Sequence, residues 1–350
     1  MKQGFPKRKV YIFSLYCKEG SSSNFRILMF CDDLNKKFDV KSFSFWNRKY
    51  VLKYMSNKRR YLIPIVFQYI GNVIKRVYQL IIQAPKCDVI IFQKGVLPAL
   101  PVTFIQYLRK RGCKIIFDVD DAIYLSQRDH SNRIAKQADA VIVGNSLLAN
   151  YYKQFNKHVV VLPTVDYTPA YIPYRRDTFH EKCIGWIGSQ STIGNLRIVA
   201  GAINRVVEKY PEVKFRFIAN VGREYERQIR NAGFINWTLD TYIQDMSGFT
   251  VGIMPLYDNA FNRGKCGFKL IQYMNLYKPV IASPVGVNSE IVRNCGFIAE
   301  TEDEWFVALE KLLFDRQIYR DCVKHIKAGF EDDYSYEKIL DAWVNLIDKM

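Results

Sequence analysis

The chain has 350 residues, 49% of them hydrophobic and 24% charged, which is enough for two domains that each bury a core. Its 51 basic and 34 acidic side chains give a net charge of +17, and the excess lies in residues 1–165, which hold 28 basic and 10 acidic side chains, whereas residues 166–350 hold 23 and 24. The eight scattered cysteines form no Cys-x-x-Cys pair, which argues against a zinc site and for a reducing compartment, and no run reaches the ~18 apolar residues of a membrane span.

The first half alternates short apolar runs with helix-like segments, the pattern of a parallel sheet with crossover helices. The start, MKQGFPKRKVYIFSLY, lacks the long apolar run and cleavage pattern of a signal peptide, so we interpret it as leading into the first strand. Predicted strands are KVYIFSLY, FDVKSFSF, DVIIFQK, KIIFDVD, AVIVGN and HVVVLP, and predicted helices cover 23–37, 61–83, 98–111, 130–138 and 146–155.

One window of this half, between Asp39 and Asp88, contains ten basic residues, many aromatic residues and no acidic residue. Cations beside aromatic rings are typical of a segment that lies on an anionic membrane surface. Two alternatives remain open: a solvated surface with the apolar residues of 61–83 packed in the core, and a single-stranded nucleic-acid site, for which no recognition motif is present. The cations proposed to face the membrane are Lys49, Lys53, Lys58, Arg59, Arg60, Lys75 and Arg76.

The second half begins after PTVDYTPAYIPYRR, a connection with three prolines at 163–176. The alternation then restarts, and we predict an α/β fold with two Rossmann-like domains whose parallel sheets face a central cleft. The predicted domains span 1–165 and 181–330 and are joined by a linker at 166–180. A closing helix at 331–350 can pack back on the N-terminal domain. Predicted strands are KCIGWIG, KFRFIAN, FTVGIMP, PVIAS and GFIAE, and predicted helices cover 193–209, 223–232, 268–277, 302–327 and 335–348.

The stretch RGKCGFKLIQYMNLYKPVIASPVGVN, residues 263–288, places glycines and lysines at the start of a predicted helix. Gly264 and Gly267 allow a ligand to approach the backbone closely, and the first-turn amides of a helix favour an anion. Lys265 and Lys269 add the positive charge that a diphosphate needs. The alternative is two solvated lysines beside a turn. No Gly-x4-Gly-Lys-Ser/Thr pattern occurs, so this is not a P-loop.

Residues 249–300, and more loosely the whole chain, resemble the GT-B glycosyltransferases of family 4, in particular a branch with a Gly-Lys-x-Gly-Phe-Lys-x-x-Gln-Tyr-Met loop. The resemblance implies that this loop binds a nucleotide diphosphate sugar and that the sugar keeps its anomeric configuration. An Asp-x-Asp pattern is also the metal signature of a different, single-domain glycosyltransferase fold, but this chain shows two predicted sheets, so we expect no metal or other cofactor. Many relatives carry a Glu-x7-Glu pair, but Gly264 and Gln272 stand at those two positions here. Gln272 therefore offers the ribose one carbonyl acceptor where a carboxylate would bind it more strongly.

A second donor-side segment is IGWIGSQSTIGN, residues 184–195, which ends the first strand of the second domain in small and hydroxyl side chains. Amides and hydroxyls here can hold a phosphate oxygen, or Ser191 or Thr192 is an ordinary helix N-cap. The complete predicted donor set is Gly188, Ser189, Ser191, Thr192, Lys265, Gly267, Phe268, Lys269, Gln272, Gly286 and Asn288.

Two segments of the first domain resemble the family's acceptor side. YCKEGSSSNFR supplies Gly20, Ser21 and Arg26, and the arginine either reaches phosphate or lies on a surface helix. KIIFDVDDAIY sets Asp118, Asp120 and Asp121 at a strand end, where Asp120 and Asp121 are candidates for binding acceptor hydroxyls and assisting deprotonation. The alternative for these aspartates is capping of the next helix. Asn145, after another strand, is most simply an N-cap.

The sequence therefore predicts a cytoplasmic glycosyltransferase, peripheral at the inner face of the cell membrane, that acts in surface polysaccharide or glycolipid biosynthesis. It would move a sugar from a nucleotide diphosphate donor to a glycan or lipid-linked acceptor, with Asp120, Asp121 and Lys269 as catalytic residues. Two alternatives remain: a sugar-nucleotide epimerase with the same architecture, and a degenerate, non-catalytic protein that binds a sugar nucleotide or nucleic acid.

Overall fold

The computed structural model describes residues 6–100, 102–126 and 129–350, and these residues form two compact units. The first unit comprises the described residues up to Thr164 together with Ile339–Met350, and the second comprises Val165–Lys338. Each unit is built around its own parallel sheet.

The sheet of the first unit has six strands, all parallel, in the order β2-β1-β3-β4-β5-β6. Every residue of the central strand β3 is buried, as its continuous apolar run predicts for a strand covered on both faces. The outer strands β2 and β6 are partly exposed. The strands are β1 (Lys9–Tyr16), β2 (Asp39–Trp46), β3 (Val89–Gln93), β4 (Lys114–Val119), β5 (Ala140–Val143) and β6 (Val159–Val161).

The helices of the first unit are mostly short, apart from one that follows β2. The predicted helix at 98–111 is observed only as α4, and residue 101 of that segment lies outside the described residues. Short π-helical turns at Tyr50–Tyr54 and Gln79–Gln83 flank the long helix α3. The helices are α1 (Ser21–Asn24), α2 (Cys31–Lys37), α3 (Leu62–Tyr78), α4 (Ile105–Lys110), α5 (Ser131–Gln137) and α6 (Ser146–Tyr152).

The sheet of the second unit also has six parallel strands, in the order β12-β11-β10-β7-β8-β9. Its core is continuous, since Trp186, Phe217 and Trp305 pack in one buried cluster with the helices that cover the sheet. The strands are β7 (Cys183–Ile187), β8 (Lys214–Ala219), β9 (Ala232–Asn236), β10 (Val251–Met254), β11 (Val280–Ala282) and β12 (Gly296–Ile298).

The helices of the second unit end in a pair that closes the chain. The last helix begins in the second unit and ends in the first, where Arg8 donates to the carbonyl oxygens of Ile347 and Asp348 and Lys37 pairs with the Asp348 carboxylate. The helices are α7 (Thr168–Tyr171), α8 (Ala200–Lys209), α9 (Tyr242–Ser247), α10 (Ala260–Arg263), α11 (Phe268–Asn275), α12 (Asn288–Val292), α13 (Glu302–Phe314), α14 (Arg316–Tyr334) and α15 (Tyr336–Asp348).

The predicted helix at 223–232 is wrong. Only a 3-10 turn forms at Arg223–Arg227, and the chain then enters the edge strand β9. Asn231, which has a positive φ of 49°, marks the reversal into the strand, and Phe234 of β9 packs against Phe217 of β8 with ring centres 5.5 Å apart. The helical pattern of charged residues is overridden because this packing completes the sheet.

Candidate functional site

The predicted donor segments leave the sheet of the second unit side by side. β11, β10 and β7 are neighbours in this sheet, so the segments that follow them start from one edge, where ligands of such sheets bind. Helix α11 is fastened over this edge by Tyr273, whose buried hydroxyl accepts from the Ile187 amide at 2.9 Å and lies 3.3 Å from the Ile253 carbonyl oxygen. The start of α11 is thereby held beside the end of β7.

Two glycines let these segments pack closely. Gly267, the N-cap of α11, has a φ of +65°, and a Cβ there would collide with Ile291. Gly286 has a φ of +62°, and a Cβ there would lie 2.6 Å from the carbonyl oxygen of Arg263. Both positions favour glycine by backbone conformation and by space. The structure thus brings the loop before α11 against the turn before α12, as the predicted donor set requires.

Lys269 lies in the first turn of α11 and is half-buried, with its ammonium group 5.8 Å from the ring centre of Trp186. Burial, and next the charge of the nearby Lys265, lower the pKa of Lys269 to about 7. No acidic side chain among the described residues forms an ion pair with it. A desolvated cation at a helix N-terminus that lacks a protein counter-ion is suited to an anionic ligand.

The lowered pKa of Lys269 predicts how stability depends on pH. In the unfolded chain a lysine holds its proton up to a pKa near 10.4, so between about pH 7 and 10 the unfolded state binds more protons and the free energy of unfolding rises with pH. Lys269→Met should reduce this slope by up to about 1.4 kcal/mol per pH unit. Urea unfolding at pH 7, 8 and 9 measures the free energy of unfolding and hence this slope. The exposed Lys311→Met is the control, and an unchanged slope in Lys269→Met would contradict the burial of its charge.

The turn after β7 is held by its own polar groups. The Ser189 amide donates to the Thr192 hydroxyl at 3.1 Å, and the Ser189 and Ser191 hydroxyls lie 2.9 Å apart. Thr192 is the N-cap residue of the following 3-10 helix at Ile193–Ile198, as one interpretation predicted, but its side chain makes no capping hydrogen bond. Ser189 and Ser191 are exposed, whereas Gly188 is required because a Cβ would collide with the Trp186 ring.

Gln272 has a different environment from the one expected. It is buried, and its amide nitrogen donates to the Asp166 carboxylate at 2.9 Å. Asp166 also accepts from the hydroxyls of Tyr171 at 2.6 Å and Tyr242 at 2.9 Å. Burial raises the pKa of Asp166, while these donors act to lower it. A ribose contact by Gln272 is therefore left to its carbonyl oxygen and its second amide N–H. Asp166 was missed because a single aspartate in a proline-rich connection gives no signal.

The remaining donor-side residues surround the start of α11. Asn288, the first residue of α12, is buried and donates to the Ser283 carbonyl at 3.0 Å. Lys265 is half-buried, with its ammonium group 4.4 Å from the ring centre of Phe261. Phe268 opens α11 and is half-buried. The structure therefore gathers this part of the predicted set in one place.

In the first unit, the predicted role of Arg26 is not what the structure shows. Its guanidinium is buried, contacts the Asp118 carboxylate through two nitrogens at 2.8 Å each, and donates to the Leu162 carbonyl. It is therefore neither a surface arginine nor available for phosphate. Burial raises the pKa of Asp118 to about 6, against the lowering effect of Arg26. Asp118 is likewise fully buried, so the pair fastens the end of β4 and does not meet an acceptor.

Asp120 and Asp121 share a cation that the sequence analysis missed. Lys94 follows β3 with a positive φ of 62°, and its ammonium group lies 3.1 Å from Asp120 and 2.5 Å from Asp121. Burial raises the pKa of Asp120, and Lys94 lowers it. Burial acts to lower the pKa of Lys94, but the two carboxylates outweigh burial, and the pKa of Lys94 is raised. Helix capping is not their role, since the following 3-10 turn has Ala122 at its N-cap.

The glycine and serine loop after β1 is positioned by Gln93, a second residue without a sequence signal. The buried Gln93 carbonyl oxygen accepts from the Ser23 hydroxyl at 2.8 Å and the Leu15 amide at 3.1 Å. Gly20 packs so closely on Tyr16 that a Cβ would collide with its side chain, and Ser21 is exposed at the start of α1. The N-cap role of Asn145 is confirmed, because its side chain accepts from the Leu148 amide at 2.8 Å.

One of the cations proposed to face a membrane does not do so. Arg76 is only 1% exposed; it donates to the carbonyl oxygens of Val96, Ser14 and Phe43, and burial lowers its pKa to about 9. The prediction is wrong because this side of α3 packs on the sheet. The other six are exposed: Lys49, Lys53, Lys58, Arg59, Arg60 and Lys75.

The opposite side of α3 is apolar and exposed, although a soluble helix normally buries such a face. Ile63 is 71% exposed, Phe67 72% and Ile74 66%. The expectation that the apolar residues of 61–83 pack in the core is wrong for this face. Phe67 and Tyr78 are rings that were expected at the surface and are exposed, whereas four other rings of the window, Phe45, Trp46, Tyr50 and Tyr54, lie in a buried cluster. We call the exposed set the apolar face of α3, and its members are Leu62, Ile63, Val66, Phe67, Ile70, Ile74 and Tyr78.

No group of three or more His, Cys, Asp or Glu side chains in residues 6–100, 102–126 and 129–350 is arranged to hold a metal ion. Within the same ranges, none of the helices combines the length and hydrophobicity needed to span a bilayer.

Comparison with known proteins gives a family match within the second unit. Residues 181–315 match the family model described as Glycosyl transferases group 1, a range that includes the turn after β7 and all of α11. The match covers less than half of the chain. No curated protein matched the sequence.

Solved structures share the fold over nearly the whole chain. The sucrose-phosphate synthase of Thermosynechococcus elongatus has a TM-score of 0.70 at 13% identity, over 98% of this chain and 99% of that one. A glycosyltransferase of Rickettsia africae has a TM-score of 0.68 at 12% identity, over 99% of each chain. Anabaena HepE, in complex with UDP, has a TM-score of 0.65 at 12% identity, over 98% of this chain and all of that one. The predicted GT-B fold, with a parallel Rossmann-like sheet in each unit, is confirmed.

Proposed function

We propose that this protein is a glycosyltransferase that moves a sugar from a nucleotide diphosphate sugar to a hydroxyl acceptor. The observation that carries the proposal is Lys269, a half-buried lysine in the first turn of α11 with a pKa lowered to about 7, inside the range that matches the family model. Structures of Anabaena HepE with UDP and with UDP-glucose support the same class of donor. The family 4 branch with its Gly-Lys-x-Gly-Phe-Lys loop is part of this proposal.

On the donor side, the leaving diphosphate would be stabilised at the start of α11. The first-turn amides, Lys265 and Lys269 supply positive potential where negative charge develops as the glycosidic bond breaks. The exposed hydroxyls of Ser189 and Ser191 follow β7 at the same edge of the sheet and offer further hydrogen-bond donors. We propose that these groups suffice without a metal, and that the anomeric configuration is retained.

On the acceptor side, Asp120 and Asp121 are the candidates for binding the nucleophilic hydroxyl and accepting its proton. Lys94 lies within 3.1 Å of both carboxylates, and its charge acts to lower the pKa of Asp120, which burial raises; a general base requires the ionised form. Lys94 is therefore a positioning residue for this pair, and its left-handed backbone directs its side chain toward the end of β4.

We further propose that the enzyme works at an anionic membrane surface, on a lipid-linked or membrane-anchored glycan acceptor. Support comes from the apolar face of α3, which is flanked by exposed cations at 49, 53, 58, 59, 60 and 75. An interfacial helix combines two parts: apolar side chains that enter the acyl boundary, and cations that attract the anionic headgroups. Each such cation contributes about 1 kcal/mol near an anionic leaflet.

The proposal is tested by turnover with a panel of nucleotide diphosphate sugars and membrane extract as acceptor. Transfer of label from one donor into extractable glycolipid or glycan, together with release of nucleoside diphosphate, is the expected result. Epimerised sugar nucleotide formed without acceptor would instead identify an epimerase. Absence of calorimetric binding to every nucleoside diphosphate would refute a donor site at α11, and binding without turnover would identify a degenerate, non-catalytic protein.

A further inference from the structure

We propose that a basic cavity in the second unit, separate from the donor edge, binds a small polyanion that carries at least two phosphoryl groups. The cavity has a volume of about 550 Å³ and lies between the segment before β7, the residue two positions after α11, and α14. This volume is in the range of pockets that hold small ligands. Its charged lining consists of Arg175, Arg176, Asp177, Arg320, Lys324 and Lys327.

The lining of the cavity has a positive net charge, whereas the unit that contains it has none. Val165–Lys338 contains 22 basic and 22 acidic side chains, whereas the cavity gathers five cations and one carboxylate. Three of the lining groups already have partners: Arg175 pairs with Glu331, Arg176 with Glu181, and Asp177 with Arg316. The other three cations, Arg320, Lys324 and Lys327, form no ion pair with any described residue.

These three cations repeat along one face of α14. Arg320 and Lys324 are four residues apart and Lys327 follows three residues later, so they are neighbours on the helix surface. Like charges at this spacing destabilise a helix. An anion that bridges them would remove this repulsion, and arginine and lysine side chains are well suited to phosphate.

The opposite wall is held rigidly. Arg175 is half-buried and donates to the Asn275 carbonyl at 2.8 Å and to the Tyr277 hydroxyl at 2.7 Å. Tyr277 has a positive φ of 58°, rare for an aromatic residue, and its ring lies 4.2 Å from the Arg175 guanidinium and 5.3 Å from the Lys327 ammonium group. A wall that is already fixed by such contacts loses little entropy when a ligand binds.

Lys278 lies fully buried behind this wall. Lys278 donates to the Arg176 carbonyl at 3.0 Å and to the Thr178 hydroxyl at 2.9 Å. Burial, and next the charge of Arg176, lower its pKa to about 7. With five cations on two segments, the cavity favours several clustered negative charges over a single one. The class of ligand is therefore a compact oligophosphate, such as inorganic pyrophosphate.

The test is calorimetric titration of the full chain with inorganic pyrophosphate in 0.15 M salt. Lys269→Ala is used as the background because it weakens anion binding at the donor edge, and the variants on α14 then assign the remaining binding to the cavity, independently of the proposed transfer activity. We expect saturable binding of one pyrophosphate, weakened at least tenfold by Arg320→Gln/Lys324→Gln/Lys327→Gln. The matched control removes three exposed cations elsewhere in the unit, Arg230→Gln/Lys311→Gln/Lys338→Gln, and should change the affinity less than twofold.

Further ligands separate the possible sources of the phosphate. Inorganic phosphate and glycerophosphoglycerol, a soluble mimic of a lipid headgroup, should each bind at least tenfold more weakly than pyrophosphate. Equal binding of glycerophosphoglycerol would overturn the proposal in favour of a lipid headgroup site. Absence of saturable binding, or equal weakening by the control triple, would show a solvated basic surface only. Circular dichroism and thermal unfolding of each variant show that a loss of affinity is not a loss of fold.

Discussion

Lys269→Ala is expected to lower kcat/KM for the sugar donor by about 100-fold to 1,000-fold, the effect of removing one preorganised group that stabilises developing negative charge. The ammonium group lies in the first turn of α11, where it adds to the positive end of the helix. Because the lysine is already desolvated before the donor binds, little reorganisation is needed at the moment of reaction. Steady-state kinetics over a range of donor concentrations measures the loss.

The pH dependence of donor use distinguishes a charge effect from a structural one. With a pKa of about 7 in the ligand-free protein, Lys269 is mostly protonated at pH 6 and mostly neutral at pH 8.5, so donor affinity should fall as pH rises through 7. Lys269→Arg keeps its charge throughout this range and should abolish the dependence. Lys265→Ala is the matched control, expected to lose less activity. Near-normal turnover in Lys269→Ala would refute the donor assignment.

Much of the fold follows from the sequence because buried parallel strands carry their signal in their own residues. Runs such as VIIFQ in β3 are apolar on both faces, so neither the partner strand nor the covering helix is needed to recognise them. The edge strand β9 lacks this signal, since it is only partly buried and interrupted by Gly233. Its residues form a strand because β8 offers an open edge, which is a property of the sheet and not of the local sequence.

The glycines and lysines of the donor loop were also recognisable, because backbone freedom and charge at a helix start are local properties. Lys94 and Gln93 were not, since their roles depend on β3 lying between β1 and β4. Only that strand order brings Lys94 to Asp120 and Asp121, and Gln93 to Ser23. Arg26 gave a misleading signal for a related reason, as its partner Asp118 is 92 residues away in the sequence.

Helix α3 illustrates how composition alone can assign the wrong side chains to a surface. Its cation Arg76 points inward to backbone carbonyls and lies over the rings of Phe13 and Phe45, while the isoleucines face outward. Apolar and polar residues both repeat with the period of the helix. The sequence therefore shows that α3 has two faces, but it does not show which face the sheet covers. The tertiary structure decides this, and it exposes the apolar face.

Ile63→Glu/Phe67→Glu should reduce binding to vesicles that contain phosphatidylglycerol by at least about 100-fold. Each of these side chains would be worth roughly 1.5 to 3 kcal/mol when it leaves water, and tenfold in affinity corresponds to about 1.4 kcal/mol. Vesicle flotation with increasing lipid measures the change. Leu239→Glu/Val307→Glu, which alters two exposed apolar residues of the second unit, is the matched control and should bind as the unmodified protein does.

The cations beside the apolar face contribute in a way that salt can separate. Lys58→Gln/Arg59→Gln/Arg60→Gln should weaken binding mainly at low salt and only to anionic vesicles, because exposed charges are screened over about 8 Å at physiological ionic strength. The glutamate pair should instead weaken binding at every salt concentration, since transfer of apolar side chains depends little on charge. If the unmodified protein forms a dimer that the glutamate pair dissolves, and vesicles do not bind it, then the apolar face of α3 contacts a second copy of the chain and not a membrane.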